Sequence, residues 1–141
     1  RTGADILQDV KNARVDALRQ IRDGKIYDQI VWNGLNIAMQ KEDHDNIKES
    51  ILNLFVVNNL SPTDRTALEQ IIGFPVPSVV PWRTVEGAPL ELSYSDLVQI
   101  SSLMSLHKQT QFQVFWGLEQ QIQAIPDGPT AIATINGINW P

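Results

Sequence analysis

The chain has 141 residues, of which 43% are hydrophobic, and this is enough for one domain or for a compact domain with a helical extension. Its 11 basic residues are scattered and outnumbered by 16 acidic ones, and the net charge of −5 argues against binding to nucleic acid. The sequence contains no cysteine, which excludes disulfides, thiolate nucleophiles and sulfur-ligated metal sites, and no apolar run long enough to insert into a membrane.

A regular apolar stripe at the start of the chain predicts a helix from Thr2 to Asp23. The members of this stripe are Ile6, Val10, Ala13, Ala17 and Ile21, and Leu7 and Leu18 broaden it. Gly24 is then expected to end the helix. Because the first residue is arginine and not methionine, we expect a fragment or processed product of a longer polypeptide. In it, residues 1–23 would form a junction or oligomerisation helix and residues 24–141 a compact α+β domain.

The dipeptide Asn33-Gly34 predicts a β-hairpin, because it supplies the two positive φ angles that a type I′ turn requires. Such a turn pairs Trp32 with Leu35 and sets the register of both strands. The register places large apolar side chains on one face, namely Ile30, Trp32, Leu35, Ile37 and Met39. This face must pack on helices or on a partner, because an isolated hairpin is marginally stable.

The acidic segment Glu42–Asn46 predicts the start of a second helix, with Asn46 and Glu49 spaced as a capping box. His44 in this segment invites a metal-site interpretation. Consecutive side chains point in different directions and rarely converge on one ion, so a helix start with dipole-favoured acids is the preferred interpretation. Further along, Ser61 is followed by a proline and predicts the start of a third, short helix.

A second hairpin is predicted to turn at Glu86-Gly87. Ser93 and Asp96 then have the spacing of a helix start, and the long helix that follows is expected to end before Pro126. A last short helix or turn precedes the final residues. Together the elements predict an α+β fold that is predominantly helical, in which two short β-hairpins pack on several helices, one of them long.

The long helix carries a stripe at heptad-like spacing. Its members are Leu97, Ile100, Met104, His107, Gln111, Val114, Leu118, Gln121 and Ile125. The polar members have two interpretations. Either they are satisfied or partly exposed within one chain, or they form polar layers where copies of the chain meet around a symmetry axis.

No catalytic set is recognisable in the sequence. It has two isolated histidines, no thiol, no Gly-x-Ser-x-Gly elbow and no phosphate-binding glycine loop, so neither an enzyme nor a cofactor or metal is predicted. Exposed aromatic rings often mark binding surfaces, although most tryptophans in a domain of this size are core anchors. The predicted interaction residues are His107, Gln111, Gln121, Trp82, Trp116 and Trp140.

Several short motifs follow one another along the chain. They are Arg19–Lys25, Trp32-Asn33-Gly34-Leu35, Asp45–Ser50, Trp82-Arg83-Thr84, Ser93–Asp96, His107 and Trp140-Pro141. Their order resembles a domain of unknown function found in bacteriophage tail fibres and tail-fibre-assembly proteins. The resemblance runs from the first helix to the end of the chain.

This resemblance implies no catalytic residues. It implies a structural or interaction module of a phage tail or tail fibre, made in the cytoplasm of the bacterial host and carried in the virion. The expected partners are other tail or fibre proteins and further copies of the chain. Two alternatives stay open, namely a chaperone of tail-fibre assembly and a fibre domain that binds a host-surface glycan.

Overall fold

The computed structural model describes residues 2–141 and contains, in that range, five helices and four strands. The helices are α1 (Gly3–Ile26), α2 (Lys41–Asn58), α3 (Pro62–Ile72), α4 (Tyr94–Gln123) and α5 (Ala131–Asn136). The strands are β1 (Ile30–Trp32), β2 (Leu35–Ile37), β3 (Val80–Arg83) and β4 (Pro89–Leu92). The predicted fold class is confirmed. Among the described helices, none combines the length and the apolar character that spanning a membrane would take.

Contacts within the chain group it into two compact units. The terminal unit consists of the residues up to Ile26 together with those from His107 onward, and the central unit spans Tyr27–Leu106. Each unit has its own cluster of buried apolar side chains. The predicted separation of residues 1–23 from residues 24–141 as domains stays a prediction.

The first hairpin of the central unit forms in the predicted register. Trp32 of β1 pairs with Leu35 of β2, and the two turn residues, Asn33 and Gly34, have φ angles of 50° and 75°. The predicted inward face is the buried one: Ile30, Trp32, Ile37 and Met39 are buried, and Leu35 is half-buried against them. The hairpin therefore buries one face, as the alternation of its residues indicated.

The second hairpin, β3–β4, turns through Gly87, whose φ angle is 88°. Trp82 of β3 pairs with Leu90 of β4, and both pack against the same core as the first hairpin. Thr84 is buried and closes the turn. Its backbone N–H donates to the carbonyl of Ala88 at 3.0 Å, and its hydroxyl accepts from the Ala88 N–H at 3.0 Å. Helices α2 and α4 complete this core with Ile47, Leu54, Leu97, Ile100 and Met104.

Two helix starts follow the predicted capping chemistry. The Ser93 hydroxyl accepts from the Asp96 N–H at 3.2 Å, and the Asp96 carboxylate accepts from the Ser93 N–H at 2.9 Å. This reciprocal pair satisfies N–H groups that have no partner inside α4. At α3, the Ser61 hydroxyl accepts from the Asp64 N–H at 3.1 Å. Both predicted starts are confirmed.

The predicted capping box of α2 is wrong. The helix begins at Lys41, and the Asp43 carboxylate accepts from the Gln40 N–H at 2.9 Å. Asn46 and Glu49 therefore lie inside α2, where backbone N–H groups already donate to carbonyls of the preceding turn and need no cap.

The predicted end of α1 at Gly24 is also wrong, because the helix continues to Ile26. A glycine inside a helix costs about 1 kcal/mol relative to alanine. Ile26 is only 4% exposed, and burying a side chain of that size contributes about 1.5 to 3 kcal/mol. Tertiary packing of the last turn therefore outweighs the local preference of glycine.

The buried face of α1 follows the predicted stripe only in part. Leu18 is buried, and Leu7 and Val10 pack against the core, as predicted. Val15, which lies outside the predicted stripe, is also buried, whereas Ile6 is 45% exposed and Ile21 is 39% exposed. The core of the terminal unit is formed by side chains of α1, α4 and α5, namely Val15, Leu18, Phe115, Leu118, Ile122 and Ile135.

Candidate functional site

The polar members of the predicted stripe on α4 are at most partly buried. His107 and Gln111 are half-buried, but Gln121 is exposed and the inward position after Leu118 is taken by the fully buried Ile122. Gln121 was therefore wrongly placed in the stripe. The reason is that an α-helix has 3.6 residues per turn, so a face of constant direction drifts away from a strict heptad repeat.

His107 has a partner in its own chain. Its Nε2 atom lies 2.7 Å from the backbone carbonyl oxygen of Lys25 in the last turn of α1. The last carbonyls of a helix have no partner inside that helix, and an imidazole N–H can supply one. For His107 this geometry is the one expected from the first interpretation of the stripe, in which a polar member is satisfied within one chain. The formation of polar layers between copies stays a prediction.

Basic side chains of α1 hold the C-terminal part of the terminal unit. The buried Lys11 donates from Nζ to the carbonyls of Gln123 at 3.1 Å and Ile125 at 2.7 Å. Arg14 donates from Nε and Nη2 to the carbonyl of Ile138 at 3.0 and 2.7 Å. These carbonyls lie at or just after the C-terminal ends of α4 and α5. Both cations therefore stabilise the fold and do not form a basic surface for a ligand.

The aromatic residues of the terminal unit are partly covered by arginine. The guanidinium carbon of Arg22 lies 4.7 Å from the ring centroids of both Phe112 and Phe115. Trp116 is 55% exposed, and its ring centroid lies 5.7 Å from that of Phe112. Trp140 is half-buried and packs against the core of the unit. Of these two predicted contact residues, Trp116 offers more of its surface to a ligand.

Trp82 lies in a groove of the central unit with a volume of about 760 Å³. The first turns of α2 form one side of the groove, and strands β3 and β4 form the other. The polar and aromatic side chains that line it are Asp43, Asn46, Trp82, Arg83 and Glu91. We call it the Trp82 groove. A predicted interaction residue therefore lies in a concave site of the structure.

The polar groups of the Trp82 groove have unused hydrogen-bonding capacity. Arg83 donates from Nη1 to the carbonyl of Gly87 at 3.0 Å, which leaves its other N–H groups available. Asp43 uses one carboxylate oxygen at the start of α2. Within residues 2–141, the side chains of Asn46 and Glu91 make no hydrogen bond to another protein group. The groove therefore presents both donors and acceptors beside an aromatic ring.

A row of apolar side chains lies on the outer face of α2. Leu52, Phe55 and Val56 are 66%, 53% and 59% exposed, although the opposite face of the same helix is buried through Ile47 and Leu54. Their spacing of three and four residues places them side by side. We call this surface the α2 row. Three adjacent exposed side chains of this size are typical of a contact surface for another protein.

The titratable groups of the described residues, 2–141, form no recognisable catalytic cluster. Within residues 2–141 no group of three or more His, Asp or Glu side chains is placed to hold a metal ion. Two carboxyl groups have a lowered pKa: Asp5 through hydrogen bonds from Thr2, and Glu86 through a hydrogen bond from the Asn36 amide. Asp5 lies at the start of α1 and Glu86 lies in the turn of the second hairpin. Neither carboxylate is paired with a nucleophile.

The sequence matches the model of the family described as a domain of unknown function, DUF4376, over residues 9–136. The chain belongs to the DUF4376 family. The predicted resemblance to a domain of unknown function is therefore confirmed, whereas the association with phage tails stays a prediction. The DUF4376 match begins in α1 and ends with α5, so it includes both units. No curated protein and no solved structure matches the chain.

Sequence reasoning predicted Trp82 but missed the other residues of its groove. Asp43 and Asn46 come from α2, and Glu91 comes from β4, so no local spacing connects them. Only Arg83 could have been connected with Trp82 from the sequence, because it follows Trp82 in the motif Trp82-Arg83-Thr84. In this DUF4376 domain the groove exists only because α2 lies against the second hairpin.

Proposed function

We propose that this DUF4376 domain is an interaction module of a bacteriophage tail or tail fibre, without enzymatic activity. It is made in the host cytoplasm and carried in the virion. The α2 row is the observation that carries the proposal, because it gives the domain a surface suited to another tail or fibre subunit, including a second copy. The phage context rests on the order of sequence motifs described above.

The exposed apolar area of the α2 row limits the binding free energy that it can contribute to docking. Burying one large apolar side chain completely contributes about 1.5 to 3 kcal/mol. Leu52, Phe55 and Val56 are each exposed by a little more than half. Covering all three therefore contributes about 3 to 5 kcal/mol. That is enough for the centre of an interface, and surrounding polar contacts must supply the rest.

The chemistry of the histidines supports a role without catalysis. His107 directs Nε2 to a backbone carbonyl, and the ring of His44 lies edge-on to Tyr27 with 6.1 Å between the centroids. A general base needs to reach a nucleophile or a bound water with its free nitrogen. A histidine that binds a carbonyl at a helix end is instead placed to stabilise the fold.

Quantitative mass spectrometry of purified phage particles tests the proposal. Particles should contain the parent chain, and the double substitution Leu52→Glu and Val56→Glu should reduce its amount at least tenfold. Each charge opposes burial of the row. Asn53→Glu is the control, because it adds one of these two negative charges at an exposed position of the same helix outside the row, and it should leave the amount unchanged.

Each contrary result has a definite meaning. Absence of the parent chain from the particles would reject the virion assignment. If it were then found bound to fibre proteins in infected cells, the assembly-chaperone alternative would replace it. Parental amounts of the doubly charged variant in the particles would show that the α2 row is not the docking surface. Light scattering of the purified domain would show whether the partner is a second copy.

A further inference from the structure

The Trp82 groove holds its aromatic ring in a fixed position. Trp82 pairs with Leu90 across the hairpin, and both side chains pack partly against the core of the central unit. Part of the tryptophan therefore anchors the strand while the rest lines the groove. A ring held in this way loses little conformational entropy when a ligand stacks on it.

The groups around the ring can both donate and accept hydrogen bonds. The Asn46 amide does both, Arg83 donates, and the carboxylates of Asp43 and Glu91 accept. In the part of the chain described here, Asn46 and Glu91 have no protein hydrogen-bond partner, so a ligand would replace water and would break no contact of the fold. The groove is therefore suited to a ligand with many hydroxyl groups.

The combination of one apolar ring and several planar polar groups matches a sugar in the pyranose form. Such a sugar has an apolar face of C–H groups, which packs on an aromatic ring, and a rim of hydroxyls that donate and accept. A proline-rich peptide would instead need a longer aromatic surface to follow its extended helix. The mixed polar rim of the groove favours the sugar.

The charge of the groove narrows the class of sugar. Two carboxylates, Asp43 and Glu91, and one guanidinium, that of Arg83, line the groove, so the site has an excess of negative charge. Sugars that carry a carboxylate, such as glucuronic or sialic acid, would be repelled. Neutral hexoses and N-acetylated hexosamines carry no such penalty.

We propose that the Trp82 groove binds a neutral pyranose, which stacks on the indole of Trp82 and forms hydrogen bonds with Asn46 and Glu91. The proposal goes beyond the docking function of the α2 row and uses different residues. A single sugar unit in an open groove should bind with a Kd of about 1 mM. Longer oligosaccharides or several copies of the domain would bind more tightly through multivalency.

Titration of the isotopically labelled whole chain, observed by NMR at the tryptophan indole N–H groups, tests the proposal. The probes are the methyl glycosides of glucose, galactose, mannose and N-acetylglucosamine, each up to about 50-fold above the expected Kd so that a weak site is filled. Glucuronic acid serves as the anionic control, and a proline-rich peptide represents the competing class of ligand. Trp82→Phe assigns the resonance of Trp82 among the four tryptophans of the chain.

The expected result is a saturable shift of the Trp82 resonance with at least one neutral glycoside and none with glucuronic acid. Trp82→Ala lacks this resonance and should abolish binding, which is measured through saturation-transfer signals of the glycoside. Because Trp82→Ala also removes core contacts, Asn46→Ala and Glu91→Gln are the variants that test the site in an intact fold. Each removes one hydrogen bond to the sugar and should weaken binding about three- to tenfold. Trp116→Phe is the matched control and should bind as the parent does.

Four results would overturn the proposal. They are no shift with any neutral glycoside, a shift with the peptide alone, parental affinity of both Asn46→Ala and Glu91→Gln, and loss of binding in Trp116→Phe. Saturable binding that depends on Trp82, Asn46 and Glu91 would establish the site whether or not the chain is found in phage particles.

Discussion

Replacing Lys11 by methionine tests how α1 stabilises the terminal unit. Lys11 is only 7% exposed, and its ammonium group donates to the carbonyls of Gln123 and Ile125. Gln123 is the last residue of α4, where carbonyls lack partners inside the helix. Methionine keeps an unbranched apolar side chain in the same space and removes both donors and the positive charge.

The expected loss of stability is about 2 kcal/mol. A hydrogen bond from a charged donor contributes about 1.5 to 3 kcal/mol, so two such bonds would give about 3 to 6 kcal/mol. Burial of an ammonium group costs several kcal/mol of hydration, and removing the charge recovers part of that cost. For a chain of this length, 2 kcal/mol corresponds to a fall in Tm of about 6 °C.

Urea denaturation followed by circular dichroism measures this change. The NMR signal of Trp140, which packs against the core of the terminal unit, reports on the affected part of the chain. Lys48→Met is the matched control, because Lys48 is exposed on α2 and its replacement should change stability by less than about 0.5 kcal/mol. A Lys11→Met variant as stable as the control variant would refute the assignment of Lys11 as a cap of α4.

Three further predictions concern backbone conformation, acid stability and the helix end at His107. Gly34→Val should destabilise the chain by about 1 to 3 kcal/mol in thermal melting, because the φ angle of Gly34 is 75°. Gly24→Ala should instead stabilise it by about 0.5 to 1 kcal/mol, because Gly24 lies inside α1 with open space around it. Equal melting temperatures of the two variants would contradict this prediction. The Asn36 amide lowers the pKa of Glu86 below its ordinary value of 4.5, so the stability that this carboxylate contributes is present above pH 4.5 and is lost as the pH falls through the lowered pKa. Urea midpoints of the parent and of Glu86→Gln should accordingly differ most at neutral pH and converge in acid, and a constant difference would show that the hydrogen bond has no role. His107→Leu should lower the free energy of unfolding in urea by about 1 kcal/mol, because the Lys25 carbonyl of α1 loses its donor. His107→Gln, which can still donate, should lose less stability. A leucine variant as stable as the parent would show that water replaces the imidazole.

Local chemistry explains which elements could be predicted. The Asn33-Gly34 turn depends on φ angles that few other residue pairs adopt easily, so the dipeptide alone determined the first hairpin and its register. The Ser93 and Asp96 pair likewise acts within one turn of helix and predicted the start of α4. Neither feature needs a contact from a distant part of the chain.

Packing explains which predictions were wrong. Gly24 would end an isolated helix, but burial of Ile26 carries α1 past it. Asn46 is a good capping residue that the fold does not use for a different reason, namely that α2 begins earlier at Lys41, where the Asp43 carboxylate accepts from the Gln40 N–H. Local preferences of about 1 kcal/mol decide a structure only where tertiary contacts do not compete with them.

The sequence by itself determined the kinds of elements, their order and the presence of Trp82 as a contact candidate. Only the tertiary structure decided that Trp82 shares a groove with Asn46 and Glu91, and that Lys11 is buried at the end of α4. The physical reason is the range of the interactions. Turns and caps are formed by residues within a few positions of one another, whereas a groove or a buried cation depends on which helix faces meet, and apolar periodicity defines such faces only approximately.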